Sequence, residues 1–246
     1  MESSLEWSWV SNVMHPGTVL PMEAVVHDTP EDLAISAAGA ISDLIASTDG
    51  RFTLGLAGGS TPTATYERLT EAEVDWGRVD AWLSDERWVA PDHERCNGRM
   101  AADILFDHVD ASLHRPLWSE MIEPDDAATR YDASVRSIHP DGVPDLILLG
   151  MGTDGHTASL FPGTKALTEE SRWIVANYVP QEEETRLTAT YPLLWKAKHV
   201  LFLVAGESKA QAVKESFDAK TPAGRVGEGT GKVTWHLDAA AASLLS

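Results

Sequence analysis

The sequence predicts an α/β protein: a single domain in which a mostly parallel, Rossmann-like sheet is covered by helices on both faces. Short apolar runs of strand length alternate with helical segments along most of the 246 residues. This alternation favours parallel strands joined by crossover helices. Several of the runs lead directly into glycine-rich or polar turns. In open α/β sheets, ligands bind at the carboxyl ends of the strands, where such turns lie.

The first 20 residues differ from the rest of the chain. They carry Trp7, Trp9 and a Pro16-Gly17 break. We interpret residues 1–20 as an N-terminal extension that packs on the surface or on a partner, and residues 21–246 as the α/β domain.

The domain is predicted to open with a strand over residues 23–27 and a long helix. Thr29-Pro30-Glu31-Asp32 marks the start of that helix, because proline is favoured at the first helical position and acids are favoured in the first turn. The apolar residues that follow share one helical face: Leu33, Ala37, Ile41, Leu44 and Ile45.

Strands and helices then alternate to the end of the chain. The predicted strands span residues 52–57, 79–84, 146–149, 173–178, 186–190, 199–205 and 232–237. The predicted helices follow the Gly-Gly-Ser-Thr-Pro turn through Leu69, run from Asn97 through Leu105 and from Ser208 to Phe217, and include a short alanine-rich helix that starts at Asp238. Residues 85–97 are predicted to be a loop.

Composition and charge exclude several classes of function. The chain has 38 acidic and 19 basic residues, a formal net charge of −19, which argues against nucleic acid or anionic membranes as partners. Its apolar runs are far shorter than the roughly 20 residues that span a bilayer. The first residues, Met1 to Trp7, lack the features of a signal peptide, so we expect a cytoplasmic protein. The sequence leaves the oligomeric state open.

The segment Leu56-Ala-Gly-Gly-Ser-Thr-Pro62 can form a phosphate cradle. Gly58 and Gly59 let the backbone approach an anion, Ser60 or Thr61 can cap the following helix, and that helix presents free N–H groups and a positive dipole end. It is not a Walker A loop, because no lysine follows the glycines. The alternative is a capped turn without a ligand.

The richest segment follows the apolar run at residues 146–149. Three glycines, Asp154 and His156 fall within residues 150–156. We predict that His156 lies at or near the start of a short helix, where the dipole disfavours a cation and keeps the imidazole neutral and basic. Asp154 is close enough to orient the ring or a water molecule. The alternative is a histidine that only fills a turn.

Two further groups of charges complete the candidate site. Asp85, Glu86 and Arg87 follow a strand and can orient substrate hydroxyls, or else form a solvated loop. Arg186 opens a predicted strand, and Lys209 lies in the first turn of a predicted helix, an unfavourable place for a cation unless an anion offsets it. Together with the glycine turn, Arg186 and Lys209 provide the local cations that a phosphate site needs in an acidic protein.

We expect no metal site. His93 and Cys96, with Asp92 and Glu94 between and beside them, fit no familiar ligand spacing. The single cysteine also excludes an internal disulfide.

These segments together resemble the 6-phosphogluconolactonase family. The matching pieces occur in the family's order from about residue 24 to residue 242, and they are LAGGSTP, SDERWV, Asn97 and Met100, DLILLGMGTDGHTASLFPGT, RLTATYPLL, HVLFLVAGESKA and KVTWHLDAAAA. The DGHTASLFPG segment is highly specific, whereas each other piece is weak by itself. Cys96 departs from the pattern, because members usually carry a serine before the asparagine.

The resemblance implies hydrolysis of the δ-lactone of 6-phosphogluconate, in the oxidative pentose phosphate pathway and without a cofactor. It implies that His156 is the general base and that Asp154 orients it or its water. The residues that it implies for phosphate are Gly59, Ser60, Thr61, Arg186 and Lys209, beside Gly58 in the same turn. Asp85 and Arg87 would line the sugar pocket.

Two other functions stay open at this point. The same fold occurs in glucosamine-6-phosphate deaminases, for which Asp85 would be the obvious base, and in sugar-phosphate-sensing domains of transcription regulators. The sequence has no basic DNA-binding module, which argues against a regulator. It also has no Gly-x-Ser-x-Gly segment, so a covalent acyl-enzyme is disfavoured.

Overall fold

The computed structural model describes the backbone of residues 7–11 and all atoms of residues 22–245. In these residues the strands are β1 (Trp7–Ser11), β2 (Met22–His27), β3 (Phe52–Leu56), β4 (Val79–Leu83), β5 (Asp85–Arg87), β6 (Ser112–His114), β7 (Leu146–Leu149), β8 (Ile174–Val179), β9 (Glu184–Ala189), β10 (His199–Val204) and β11 (Lys232–Asp238). The α-helices are α1 (Pro30–Ser47), α2 (Ser60–Leu69), α3 (Asn97–Ala101), α4 (Pro124–Ser137), α5 (Tyr191–Leu194), α6 (Ala210–Phe217) and α7 (Pro222–Arg225).

The main sheet has eight strands within the described residues. Their order is β1-β2-β11-β10-β7-β3-β4-β6. All neighbours are parallel except β1 and β2, which pair antiparallel at the edge. The predicted fold class, a mostly parallel sheet covered by helices, is confirmed.

The central strands are buried on both faces. Every residue of β3, β4 and β7 is buried, as a sheet covered on both sides requires. Large aromatic side chains fill the space between sheet and helices; Phe202 on β10 and Trp235 on β11 stack with ring centroids 3.9 Å apart. Because β4, β3, β7 and β10 are parallel, their carboxyl ends lie along one edge of the sheet.

Helix α1 begins as the sequence predicts. Thr29 is the N-cap, its hydroxyl accepts from the Asp32 N–H, and Pro30 occupies the first turn. The face that packs on the sheet is buried at Leu33, Ala34, Ala37, Ala38, Ile41 and Ile45, while Leu44 is half-buried.

A second sheet of three antiparallel strands, in the order β5-β9-β8, lies beside the candidate site. The prediction of a loop over residues 85–97 is therefore wrong at its start, because Asp85, Glu86 and Arg87 form β5 and pair with β9. Arg186 lies inside β9 and faces Arg87 across the ladder. A three-residue charged strand has no apolar alternation to reveal it, and its pairing partner is about a hundred residues away.

Three other local predictions are corrected. Residues 207–209 form a 3-10 turn, so the helix predicted from Ser208 begins at Ala210. The residues after β11 form turns instead of a helix, and the buried Asp238 carboxylate accepts the N–H groups of Gly206 and Ala241 there. The helix predicted from Asn97 through Leu105 is α-helical only as far as Ala101, where α3 passes into a π-helical turn at Ala102–Phe106. Helix α4 was not predicted, although Pro124-Asp125-Asp126 is the same kind of helix start as that of α1.

The predicted N-terminal extension contributes β1, which pairs with β2 from Trp7↔Val26 to Ser11↔Met22. Residues 1–6 and 12–21 lie outside the described residues, and the domain boundary at residue 20 stays a prediction. Among the described residues, no helix has the length and apolar character to cross a membrane.

Candidate active site

A cleft of about 220 Å³ opens where the parallel strands end. The segments after β3, β4, β7 and β10 and one residue of β9 line it, as expected for an open α/β sheet. Seven residues predicted for the site lie in this lining: Gly58, Gly59, Asp85, Arg87, His156, Arg186 and Lys209. Asp154 contacts His156 at its edge. Ser60 and Thr61 lie in the first turn of α2, beside the lining.

The segment after β7 is a tight turn that places Asp154 against His156. The Gly152 N–H donates to the His156 carbonyl at 2.9 Å, and Gly155 turns the chain with a φ of 75°. Gly152 must be a glycine, because a Cβ there would overlap the His156 ring and the Asp154 carboxylate. The Thr157 hydroxyl ties the segment back to the Gly150 carbonyl at 2.8 Å.

The carboxylate of Asp154 lies against the imidazole and the backbone of His156. Its Oδ1 lies 2.6 Å from His156 Nδ1 and also accepts the His156 N–H at 3.1 Å. A carboxylate at Nδ1 favours the tautomer with the proton on Nδ1, which leaves the lone pair on Nε2. Nε2 makes no hydrogen bond within residues 22–245 and is the ring nitrogen available as a base.

His156 does not start a helix, contrary to the sequence prediction. Residues 153–160 form turns closed by an isolated bridge between Thr157 and Leu160. No helix dipole therefore acts on this imidazole. The charged group beside it is the Asp154 carboxylate, 40% of whose side chain is exposed.

The glycine turn after β3, at Gly58 and Gly59, leads directly into helix α2. Gly59 has a φ of 106° and is itself the N-cap of α2, so the expected capping by Ser60 or Thr61 is wrong. Asn97 packs so closely on Gly58 that a Cβ at Gly58 would overlap its side-chain amide. The N–H groups of the first turn of α2 have no side-chain cap, which leaves donors for an anion.

Asp85 and Arg87 project from opposite ends of β5 toward the cleft. The buried Asp85 carboxylate accepts from the Ser159 hydroxyl at 2.7 Å and from Asn97 Nδ2 at 3.3 Å, so both of its oxygens are engaged within the protein. Arg87 donates from Nη1 to the Arg95 carbonyl at 2.7 Å, whereas its buried Nε has no partner among the described residues.

Between these two residues, Glu86 is a buried anchor. Its carboxylate accepts the N–H groups of Arg87, Asn97 and Gly98 and the thiol of Cys96. Burial raises the pKa of Glu86, and these hydrogen bonds oppose the rise. Glu86 thereby fixes the start of α3 against β5 and keeps Asn97 beside Asp85.

Arg186 is held by glutamates. Its Nε donates to Glu184 Oε1 at 2.6 Å, and Nη2 lies 3.7 Å from Glu182 Oε2. Glu184 also pairs with Arg95. With Nε bound to Glu184 and Nη2 near Glu182, Nη1 is the nitrogen without a hydrogen bond or ion pair to a described residue, and part of the guanidinium charge is already neutralised.

Lys209 reaches the cleft from the turn after β10. Its ammonium makes no hydrogen bond or ion pair with any described residue. Burial lowers the pKa of Lys209, and the neighbouring Asp154 carboxylate opposes that shift. An anion in the cleft would meet a half-buried cation here that no carboxylate neutralises directly.

No group of three or more histidine, cysteine, aspartate or glutamate side chains in the described chain is arranged to hold a metal ion. His93 Nδ1 accepts the Arg95 N–H on the surface, and the buried Cys96 donates to Glu86. The geometry gives no support to the alternative of a metal site at residues 92–96.

Comparison with known proteins gives the family. The family model described as glucosamine-6-phosphate isomerases/6-phosphogluconolactonase matches residues 28–235. The chain belongs to this family. The match extends from just after β2 into β11 and includes every residue of the cleft.

Individual members of the family are similar over most of their length. A 6-phosphogluconolactonase of Synechocystis sp. is 39% identical over 201 residues, which cover 77% of this chain and 82% of the relative. The structure of 6-phosphogluconolactonase from Trypanosoma brucei has a TM-score of 0.81 at 26% identity and covers 91% of this chain and 98% of its own. A monomeric glucosamine-6-phosphate deaminase has a TM-score of 0.76 at 26% identity and covers 90% and 99%.

Sequence reasoning assigned no role to several residues that shape the site. Asn97 and Ser159 hold Asp85, and Phe161 stacks against His156 with ring centroids 3.7 Å apart. Glu182 and Glu184 hold Arg186. Ser159 and Phe161 belong to the specific DGHTASLFPG segment, but a small residue and an aromatic one near a turn look like ordinary core residues in sequence.

Proposed function

We propose that this chain hydrolyses 6-phospho-D-glucono-1,5-lactone to 6-phosphogluconate, without a metal or another cofactor, in the oxidative pentose phosphate pathway. The observation that carries the proposal is the Asp154–His156 pair: Asp154 occupies Nδ1 of the imidazole, and His156 lines a cleft together with Arg186 and Lys209. We expect the reaction in the cytoplasm, with neither nucleic acid nor membrane as a partner.

His156 acts as the general base in this proposal. Nε2 takes a proton from water as the water oxygen bonds to the lactone carbonyl carbon. When the tetrahedral intermediate collapses, the bond from that carbon to the ring oxygen breaks, and the imidazolium returns the proton to the departing oxygen. Asp154 holds Nδ1 throughout and stabilises the transient imidazolium. A positioned base contributes about 10²–10⁴-fold to the rate.

The remaining features of the cleft support phosphate binding. Gly58 and Gly59 allow close approach, Arg186 and Lys209 supply charge-assisted contacts, and the first turn of α2, with Ser60 and Thr61, supplies N–H groups. Asp85 and Arg87 are proposed to line the sugar pocket. This local cluster offsets the repulsion that a protein of net charge −19 exerts on an anionic substrate.

An amino-sugar-phosphate deaminase is the second candidate, since a deaminase shares the fold. A deaminase would use Asp85 as the base that moves a proton between two sugar carbons. Both Asp85 oxygens already accept hydrogen bonds from Ser159 and Asn97. These two hydrogen bonds hold Asp85 in place at the wall of the cleft, as a pocket-lining residue requires, and the Asp154–His156 pair supports the lactonase.

A direct assay tests the proposal. Freshly prepared 6-phosphogluconolactone is mixed with the protein after extensive chelator treatment, and the release of 6-phosphogluconate is measured above the spontaneous rate. Glucosamine 6-phosphate serves as the rival substrate, with ammonia as the readout. We expect rapid, chelator-insensitive hydrolysis of the lactone and no ammonia. Ammonia release without lactone hydrolysis would favour the deaminase, and zinc-dependent activity would recast His156 as a metal ligand.

A further inference from the structure

A buried aromatic ring lies against the face of the proposed base. The rings of Phe161 and His156 stack with centroids 3.7 Å apart and planes inclined by 21°. Phe161 is 2% exposed, so a ligand in the cleft cannot reach the ring. Any effect of Phe161 on the reaction therefore passes through its neighbours.

The chain makes a tight turn to bring Phe161 back to His156. Thr157 and Leu160 form a bridge, with the Leu160 N–H donating to the Thr157 carbonyl at 2.9 Å. Between them, Ala158 has a φ of 46°, a conformation that side chains rarely adopt. Local strain of this kind persists only where the surrounding structure enforces it, and it is concentrated at functional sites.

The Phe161 ring also lies close to Arg186, which is proposed to bind the substrate phosphate. The guanidinium carbon of Arg186 lies 5.2 Å from the Phe161 centroid. The face of a phenyl ring carries negative potential, which attracts a guanidinium or an imidazolium. One buried side chain thus adjoins both the base and a cation of the cleft.

We propose that Phe161 is a positioning residue that fixes the plane of the His156 imidazole and stabilises the imidazolium after proton transfer. The inference rests on the proposed function, in which His156 is the base. Asp154 fixes the ring at Nδ1, Gly152 leaves room for it, and Phe161 supports its face. Without Phe161, Nε2 would lose its fixed direction and the imidazolium would lose a favourable electrostatic contact.

The test changes the electrostatic potential of the Phe161 ring face while keeping the shape of the ring. Phenylalanines with one, two and three fluorine atoms are incorporated at position 161, since fluorine progressively weakens the negative face of the ring. The titration of His156 is followed by NMR in the full-length protein, with its signal assigned by its loss in His156→Ala. The same series at Phe52, buried in β3, is the control. The charged groups around the imidazole stay unchanged in every variant: Asp85, Arg87, Asp154, Arg186 and Lys209.

We expect the midpoint of the His156 titration to move to lower pH as the number of fluorine atoms increases. The expected shift corresponds to a decrease of about two- to fivefold in the proton affinity of the imidazole. The Phe52 series should leave it in place. Phe161→Leu should lower kcat about tenfold or more, because the imidazole loses its fixed plane. A midpoint that ignores fluorination at position 161, or shifts equally in the Phe52 series, overturns the role of Phe161.

The two proposals fail in different ways. The NMR titration needs no substrate, so a shift of the His156 midpoint in a protein without lactonase activity supports the ring contact and removes the proposed function. A protein that hydrolyses the lactone while the midpoint and kcat are insensitive to Phe161 removes the positioning role alone.

Discussion

The imidazole of His156 lies directly against Gly152, so a side chain at position 152 would collide with it. Gly152→Ala would place a methyl group on the ring and on Asp154. We expect kcat/KM for the lactone to fall about 10²-fold, because small displacements of a catalytic group have effects of this size. Gly39→Ala in α1 is the control, since nothing lies within 4 Å of the added methyl group. A Gly152→Ala enzyme with normal kinetics would contradict the geometry described for His156.

Arg186 and Lys209 are expected to act on substrate binding. Arg186→Gln or Lys209→Gln should raise KM for the phosphorylated lactone about 10- to 100-fold, because a hydrogen bond to a charged group contributes about 1.5–3 kcal/mol. The exposed Lys214→Gln on α6 is the matched control. Steady-state kinetics with unphosphorylated gluconolactone separates the roles. Equal losses on both lactones would show that these cations do not bind phosphate.

At this scale the sequence predicts which residues meet but not how they are held. Asp154 Oδ1 lies 2.6 Å from His156 Nδ1, and the role of Asp154 in orienting the imidazole stays a prediction. The helix expected at His156 is replaced by turns, because a glycine-rich start of a helix and a tight turn look alike locally. The turn is determined by contacts with residues that are distant in sequence: Gly155 packs against Thr221, and the Gly155 carbonyl accepts the Ala223 N–H.

Among the elements, the junction of β5 and α3 depends on the buried Glu86 carboxylate. Glu86→Ala leaves the N–H groups of Arg87, Asn97 and Gly98 without their acceptor. We expect the free energy of unfolding to fall by about 2–4 kcal/mol, since each unsatisfied buried group costs about 1–3 kcal/mol and the removed acid was itself disfavoured by burial. The exposed Glu67→Ala on α2 should change it by about 0.5 kcal/mol or less. Chemical denaturation measures both, and equal stability of the two variants would remove Glu86 as an anchor.

The elements that the sequence predicts well are those with a strong local signal. Helix α1 has a cap, a proline and an apolar face, and β7 is four buried apolar residues. Strand β5 could not be predicted from its own residues, because its pairing with β9 determines it. The 3-10 turn before α6 depends on Asp238, which binds the Gly206 N–H from the far end of β11.

For the whole molecule, a buried histidine links folding to pH. Burial first, and then the nearby His27, lower the pKa of His236 to about 4. An unfolded chain has an ordinary histidine pKa near 6.5. Between about pH 6.5 and 4 the unfolded state therefore binds more protons, so acid reduces stability in this window, by at most about 1.4 kcal/mol per pH unit. His236→Gln should flatten the dependence of unfolding free energy on pH there, whereas the exposed His93→Gln should not. An unchanged slope in His236→Gln would exclude this linkage.

The parallel sheet explains why distant segments form one site. Residues 58–59, 85–87, 150–156 and 209 are far apart in sequence, yet each follows a strand that ends at the same edge. The alternating pattern predicts this gathering, because carboxyl ends of parallel strands coincide. It does not predict the three-stranded sheet that brings Arg186 to the same cleft, since antiparallel pairing of β5 and β9 requires the folded chain.

The most direct test of His156 as the general base compares the hydrolysis of fresh 6-phosphogluconolactone by the His156→Ala variant and by the unmodified protein. The spontaneous rate is subtracted, and circular dichroism verifies the fold of the variant. We expect a loss of kcat of about 10²-fold or more. A folded His156→Ala protein with near-normal turnover would contradict the assignment of His156 as the general base.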